Sequence, residues 1–301
     1  TMSVRGSDRT APELKATETW PSNLPDQNSC FADADTTGLK DDSEIKALYS
    51  DCSAITVTHE DANTSTADCG WTVTRTYTIK DACGNTSTNS MSVSGSDQTA
   101  PALAGTWPDN ITEQNNCFVN RDISGLLSTD SVKALYTDNC GGELTVTSRD
   151  TVTGNDCGWT VTRTYTIKDA CGNTSTNSMS VSGSDQTAPA LAGTWPDNIT
   201  EQNNCFVNRD ISGLLSTDSV KALYTDNCGG ELTVDSSDVV TGNDCEWTVT
   251  RTYTITDTCG NTVTPAPTMS VSGSDQTAPA LKVAGTWPAN ITGQNNCFDN
   301  R

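Results

Sequence analysis

Residues 159–167 alternate without interruption: Trp159, Val161, Arg163, Tyr165 and Ile167 fall on one side, with Thr on every position between. Side chains of a strand point to opposite faces with period two, so this stretch predicts a half-buried β-strand with a threonine outer face. Cys157 precedes it, Cys171 follows it, and Gly172-Asn173 turns the chain. The same block stands at 69–85 and at 245–261. Around it, shorter patterns predict the remaining elements. Residues 107–118 hold a first strand with Cys117 near its end, and Leu144-Thr145-Val146-Thr147 begins a second alternating strand. A turn near Gly154-Asn155-Asp156 returns that strand into 157–167 as a hairpin, and 174–182 form a closing strand. Residues 129–137 read instead as a short helix, with Ser128 or Thr129 as N-cap and an acid in the first turn.

The pattern recurs. Thr10, Thr99, Thr187 and Thr277 each open the phrase Thr-Ala-Pro at spacings of 89, 88 and 90 residues, each close to one small immunoglobulin-like sandwich. The expected fold class is therefore all-β: tandem immunoglobulin-like β-sandwich repeats, each with one short helical segment and two disulfides. The domains expected are 1–9 as the last strand of a preceding repeat, repeats at 10–98, 99–186 and 187–276, and 277–301 as the first strand of a following one. On this reading the chain is a window onto a longer array. Residues 99–146 recur unchanged as 187–234, so the more diverged first copy is the informative comparison. Pro101 and its counterparts stiffen short junctions, favouring a semi-rigid rod.

Composition narrows the class further. Only 34% of residues are hydrophobic and 6% aromatic, which suits several thin cores better than one large one. No apolar run reaches the length of a membrane-spanning helix, and no signal peptide is visible. The net charge of −21 makes nucleic acid and anionic lipid poor partners and keeps a long fibre soluble.

Thirteen cysteines fall as four per repeat plus one. Even counts at fixed spacing in small β-domains point to disulfides and an oxidising, extracellular setting. Zinc is excluded, because no pair has the Cys-x₂₋₄-Cys spacing of such sites. Cys140 and Cys171 straddle the predicted hairpin turn, which places them across from each other and leaves Cys117 for Cys157. The expected pairing is thus first with third and second with fourth: Cys30–Cys69, Cys52–Cys83, Cys117–Cys157, Cys140–Cys171, Cys205–Cys245 and Cys228–Cys259. Cys297 aligns with Cys117 and Cys205, so its partner is expected beyond residue 301.

The run Tyr165-Thr-Ile-Lys-Asp169-Ala-Cys171-Gly172-Asn173, a Thr/Ser-rich strand, and Val181-Ser-Gly-Ser-Asp185-Gln-Thr187-Ala-Pro189 together resemble the hyalin-repeat (HYR-like) signature. In that family an aromatic-containing strand runs into Asp-x-x-Gly-Asn, then a final strand, then Asp-x-Thr-x-Pro. The cysteine-bearing form is similar to repeats of giant surface adhesins and filaments of gliding bacteria exported by the type IX system. The resemblance covers nearly the whole chain and implies an extracellular immunoglobulin-like array for adhesion or fibre building. The helix-like segment at Lys133-Ala134-Leu135-Tyr136 departs from the shortest hyalin repeats and leaves the strand count open.

Candidate chemistry is sparse. The one histidine, His59, is expected in a loop where the other copies carry Ser148 and Ser236, and nothing resembles a Ser-His-Asp set, so an active site is not expected. Calcium is the cofactor candidate, with Asp8, Asp97, Asp185 and Asp275 at the junctions and Asp81, Asp169 and Asp257 in adjacent loops as oxygen ligands. The plainer reading makes these aspartates ordinary turn formers. Arg163, Arg75 and Arg251 stand mid-way along the apolar face and need a carboxylate or carbonyl partner. Trp159 reads as core packing against the bridge, and Trp107 as packing between repeats or facing a partner. A Lys–Asn isopeptide bond is set aside, because Lys80 and Lys168 have Thr256 as their counterpart in the third copy. Asn63, Asn85, Asn110, Asn173, Asn198 and Asn290 begin Asn-x-Ser/Thr sequons. If the bacterial resemblance holds, Ser131, Ser219, Thr151 and Thr36 become the better, O-linked glycosylation candidates.

The reading that results is a non-enzymatic shaft of a surface adhesin or extracellular filament. Its partners would be neighbouring repeats of one long chain, identical chains in a filament or bundle, and surface glycans or proteins at a tip outside the window. The alternatives are a multivalent carbohydrate- or protein-binding array, and a self-assembling fibre or sheath subunit. An exposed, repeated aromatic cluster would favour the binding array; buried aromatics favour the shaft.

Overall fold

The computed structural model describes residue 2 and residues 6–280. Cys297, Asn290 and most of the segment 277–301 lie outside the described residues. In the first repeat, β1 (Glu13–Leu14), β2 (Leu24–Asn28), α1 (Asp42–Leu48), β3 (Tyr49–Ser50), β4 (Thr56–Ala67), β5 (Gly70–Lys80) and β6 (Thr86–Ser96) follow in order. The strands form a four-stranded sheet in the order β2-β6-β5-β4, with a two-stranded sheet β1-β3. β4, β5 and β6 make an antiparallel meander, and β2 closes it by running parallel to β6.

The second repeat supplies β7 (Ala102–Leu103), β8 (Ile111–Asn115), α2 (Thr129–Lys133), β9 (Tyr136–Thr137), β10 (Thr145–Asn155), β11 (Gly158–Lys168) and β12 (Thr174–Ser184). The third supplies β13 (Ala190–Leu191), β14 (Ile199–Asn203), α3 (Thr217–Lys221), β15 (Tyr224–Thr225), β16 (Thr233–Asn243), β17 (Glu246–Thr256) and β18 (Thr268–Ser274), arranged in the same strand orders. The fold is thus a tandem series of immunoglobulin-like β-sandwich repeats with short helices. By contacts the chain divides into two compact units, Thr1–Gln114 with Asn120–Gly183, and Asn115–Val119 with Ser184–Arg301. No helix among the described residues is long and apolar enough to cross a membrane.

The alternating stretch is β11, and its period-two burial follows the pattern of its residues. Trp159, Val161, Tyr165 and Ile167 are buried, while Gly158, Thr164 and Lys168 at the ends and middle face out. Leu126, Val132, Tyr136, Leu144, Met179 and Val181 of the same repeat are buried as well. Each large side chain removed from water contributes about 1.5–3 kcal/mol to folding the repeat. The buried Tyr165 hydroxyl donates to the Leu127 carbonyl at 2.7 Å, so no polar group is stranded there.

The helix is shorter than the 129–137 expected. α2 stops at Lys133 because Tyr136 must enter β9 and the core. Ser128 caps it, accepting from the Ser131 N–H at 3.1 Å. In the first copy Asp41 and Glu44 form a reciprocal capping box at α1. The second alternating strand is longer than its apolar start suggests, because the hairpin continues with an exposed outer strand to a two-residue turn between Asn155 and Gly158. His59 lies in β4 rather than a loop, its Nδ1 2.6 Å from Asp42 Oδ1.

Arg163 finds the partner its position requires. Its Nε and Nη2 donate to Asp150 Oδ1 and Oδ2 at 2.6 and 2.7 Å, directly across the β10–β11 register. Arg75 meets Asp61 and Arg251 meets Asp238 in the same way. The guanidinium holds the Asp150 carboxyl below the usual carboxylate range. Because the folded value is depressed, the pair's contribution is present at neutral pH and lost as pH falls through that value. Trp107 belongs to its own repeat: its Nε1 donates to the Ser178 carbonyl at 3.0 Å, and it stacks edge-on against Tyr165, with centroids 5.7 Å apart. Its ring is half-buried and packs beside Tyr136 and Tyr165 of the same repeat.

The close approach of β8 to β12 depends on a missing side chain. A Cβ on Gly183 would lie 2.4 Å from the Gln114 carbonyl oxygen and 2.7 Å from the Trp159 ring. Gly183→Ala is therefore expected to destabilise by about 1–3 kcal/mol. Gly158→Ala, where nothing lies within 4 Å, should be near neutral. Thermal denaturation of both variants checks this.

Candidate functional site: the junction between repeats

Each repeat has two ends of different character. β2 and β6 finish side by side at Asn28 and Ser96, and the β4–β5 turn lies at that same trailing end, with Trp71 opposite Gly95. The first and third cysteines, Cys30 and Cys69, follow from this placement. The second and fourth, Cys52 and Cys83, flank the opposite, leading end, where Asn85 Nδ2 donates to the carbonyl of Asp8 in the incoming chain at 3.3 Å. The sequence puts the right cysteines at the same end but does not say what they bond.

They bond across the junction. Cys30 is joined to Cys140 and Cys69 to Cys171, with Cα atoms 5.1 and 4.8 Å apart. In the other compact unit Cys117 is joined to Cys228. Cys157 and Cys259 are also disulfide-bonded. The expected pairs Cys30–Cys69, Cys52–Cys83, Cys117–Cys157, Cys140–Cys171, Cys205–Cys245 and Cys228–Cys259 are therefore corrected. Cys52, Cys83, Cys205 and Cys245 are free thiols. Cys140 and Cys171 do share one end of the repeat, but both look outward from that end toward the preceding repeat and bond to Cys30 and Cys69 there.

Polar contacts reinforce the first junction. Asn173 Nδ2 donates to the Asp97 carbonyl at 3.1 Å, and just past the junction, within the second repeat, Ser175 Oγ donates to the Pro101 carbonyl at 2.5 Å. Asn139 Nδ2 reaches Asp97 Oδ1 at 3.4 Å. The equivalent contacts recur in the second unit, from Asn261 and Asn227 to Asp185. A cavity of about 170 Å³ lies at the first junction, lined by Asp68, Asp97, Asp138 and Asp169 and by the sulfur-bearing Cys69, Cys140 and Cys171.

This cavity brings together two of the calcium candidates, Asp97 and Asp169, both 4% exposed. Most of their capacity is already spent. Asp169 Oδ1 accepts from the N–H groups of Gly172 and Asn173 at 2.6 and 2.8 Å, and its Oδ2 from Asn173 Nδ2 at 2.8 Å. Asp81 and Asp257 hold their own turns in the same way. Asp97 Oδ1 accepts from the Thr99 N–H at 3.0 Å, and Asp185 and Asp275 repeat that turn with Thr187 and Thr277. Asp275 is exposed. Ca²⁺ takes roughly six to eight oxygens, and the cavity's sulfurs are locked in disulfides, so this donor set fits a resident calcium only in part.

Sequence reasoning missed Asp138 and its counterpart Asp226. Their Oδ1 atoms are buried with no hydrogen-bond partner. Burial pushes the Asp138 carboxyl up, opposed by the Cys140 N–H and aided by the Asp97 and Asp169 carboxylates. Asp226 is raised in the same way, by burial and then by Asp185 and Asp257. The available signal was the phrase Asp-Asn-Cys, present at 138–140 and 226–228.

The glycosylation candidates are structurally varied. Asn110 and Asn198 accept backbone N–H groups of Ser180 and Ser270 at 2.8 and 2.9 Å. Ser131 and Ser219 sit in helical first turns, Thr151 lies on exposed β10, and Thr36 closes a turn with Leu39.

The family model described as an HYR-like domain with 4 cysteines matches residues 126–180 and 214–271. No curated protein matches the chain. Among solved structures, a protocadherin gammaB7 EC3-6 cis-dimer aligns at 12% identity and TM-score 0.25, covering 74% of this chain and 66% of that one. A protocadherin gammaB4 extracellular domain aligns at 11% and 0.24, covering 72% and 44%. Mouse protocadherin-24 EC1-3 aligns at 12% and 0.22, covering 75% and 91%. The chain thus spans less than two thirds of the first two structures' own length, and scores this low fix neither a shared arrangement nor a shared function. The second and third repeats therefore carry the likeness to the four-cysteine HYR-like domain.

Because the folded Asp138 value lies above the unfolded one, its charge opposes folding as pH rises through the unfolded value, and the penalty is full above the folded value. Asp138→Asn is expected to raise the unfolding midpoint at neutral pH, with the gain vanishing below about pH 4. Melting curves across pH check this. Millimolar Ca²⁺ stabilising the parent chain but not the variant would instead make the free oxygen a cation ligand.

Proposed function

We propose that the chain is a load-bearing shaft segment of an extracellular adhesin or surface filament, built from repeats 10–98, 99–186 and 187–276. The observation that carries this reading is the pair of bonds, Cys30–Cys140 and Cys69–Cys171, that joins one repeat to the next alongside the peptide linker. A bead string needs only the linker. Covalent ties in parallel with it suit a part that must resist pulling and proteolysis, and that must not swivel at its joints. Bridges of this kind also fit an oxidising, extracellular location.

The placement of aromatics supports the shaft over the binding array. Trp71, Trp159 and Trp247 are buried, and no aromatic residue is among the exposed large hydrophobics of the described residues. Trp20, Trp107 and Trp195 lie edge-on against core tyrosines. A sugar-binding platform would need such rings in solvent. Surface ligands belong, on this reading, to a tip outside these repeats. Lateral contact with identical chains has one feature in its favour: β10 and β16 are sheet-edge strands that expose Val152, Val239 and Val240. Calcium is not required for the shaft to hold, because the joints are covalent.

The test is a nick. With a protease site placed between Gln98 and Thr99, cleaved protein should run as one species without reductant and as two fragments with it. Separation without reductant would contradict the load-bearing joint.

A further inference from the structure

The bonding rule is the same at Cys30–Cys140, Cys69–Cys171 and Cys117–Cys228: the first cysteine of one repeat joins the second of the next, and the third joins the fourth. Cys30–Cys140 and Cys69–Cys171 obey it in one unit, and Cys117–Cys228 obeys it in the other. The free thiols left over are an ordered set. Cys52 and Cys83 are the second and fourth cysteines of the first repeat, and Cys205 and Cys245 are the first and third of the last. Each pair is half of a staple.

The leading half is already shaped for its partner. Asp81 Oδ1 gathers the N–H groups of Cys83, Gly84 and Asn85 at 2.8, 2.6 and 2.8 Å, and Asn85 Nδ2 returns to Asp81 Oδ2 at 2.7 Å. The turn presenting Cys83 is therefore held by hydrogen bonds and does not wait for a disulfide. The turn carrying the bonded Cys171 has the same Asp169–Asn173 contacts. Asn85 grips the Asp8 carbonyl as Asn173 grips that of Asp97, and the Cys52 thiol lies 2.9 Å from Asp8 Oδ2. This face has the geometry of a joined junction, with only the sulfur partners wanting.

We infer that the two thiol pairs are covalent docking faces, each for a further four-cysteine repeat of the same fold. Cys52 and Cys83 take the first and third cysteines of a repeat on the leading side. Cys205 and Cys245 take the second and fourth of one on the trailing side. The inference rests on the shaft reading and extends it: growth is head-to-tail, because the two faces offer different cysteines. Each bond unites two thiols, whose two protons and two electrons pass to an oxidised small-molecule disulfide such as oxidised glutathione, released as two thiols.

The experiment inserts a further copy of residues 99–186 after Gln276 in the full chain, oxidises it in glutathione buffer, and follows Cys245 by alkylation and peptide mapping. The sequence around Cys245 differs from that copy, so its peptide is distinguishable. Cys245, free and exposed, should be alkylated in the parent chain; with the insert it should lose that reactivity and be found joined to the inserted counterpart of Cys171. An insert in which the counterparts of Cys140 and Cys171 are changed to Ser should restore alkylation. Cys245 still reactive beside the unaltered insert, or bonded to Cys205 within its own repeat, would overturn the inference. Either result leaves the nick between Gln98 and Thr99 as a separate judge of the shaft itself.

Discussion

Covalent closure across the repeat junction is the constraint on which the other features of this chain depend. The bridges Cys30–Cys140 and Cys69–Cys171 close loops of 110 and 102 residues. A loop of that size is worth about 4.7 kcal/mol in the chain-entropy model, a large fraction of the net stability of a small domain. Entropy alone does not select this pattern. Closing the much shorter loop from Cys30 to Cys69 would be worth only about 1 kcal/mol less, since the cost grows with the logarithm of length. Geometry selects it, because the cysteines stand on the two ends of each sandwich and face the neighbour.

That arrangement explains why thin cores suffice. Each repeat buries one strand's apolar face, led by Trp159, Val161, Tyr165 and Ile167 in the second copy. Its outer strand, β10, is almost wholly exposed. Such a sandwich has modest stability by itself, and the bridges restrict the unfolded ensemble of the repeats they join. The junction also tolerates a cost. Asp138 keeps a buried, unpartnered carboxylate oxygen near Asp97 and Asp169, which a weaker joint would relieve by opening.

Much of this was legible in the residues. Strict alternation fixed the central strand and its buried face, and the Arg163 position within it demanded the carboxylate that Asp150 supplies. Ser128 or Thr129 marked the helix start, and Ser128 is the cap. The disulfide partners were not legible, because four cysteines recurring with each repeat make a link within one repeat and a link to the next look alike along the chain. Spacing shows that Cys140 and Cys171 share an end, and only three-dimensional placement shows that they face outward. Asp138 was hidden for a different reason. An aspartate before a cysteine reads as a turn former, and the lack of a partner for one oxygen is a property of the assembled junction. Asp169 and Asp81, candidate cation ligands by their place in the sequence, also accept the backbone N–H groups that hold their own turns.

The central claim is that the bonds run between repeats, and non-reducing peptide mapping of the oxidised, thiol-blocked protein tests it most directly. The account predicts linked peptides containing Cys30 with Cys140 and Cys69 with Cys171, and blocked thiols at Cys52 and Cys83. Linked peptides joining Cys30 to Cys69 and Cys52 to Cys83 would contradict it, leaving a string of separately closed domains.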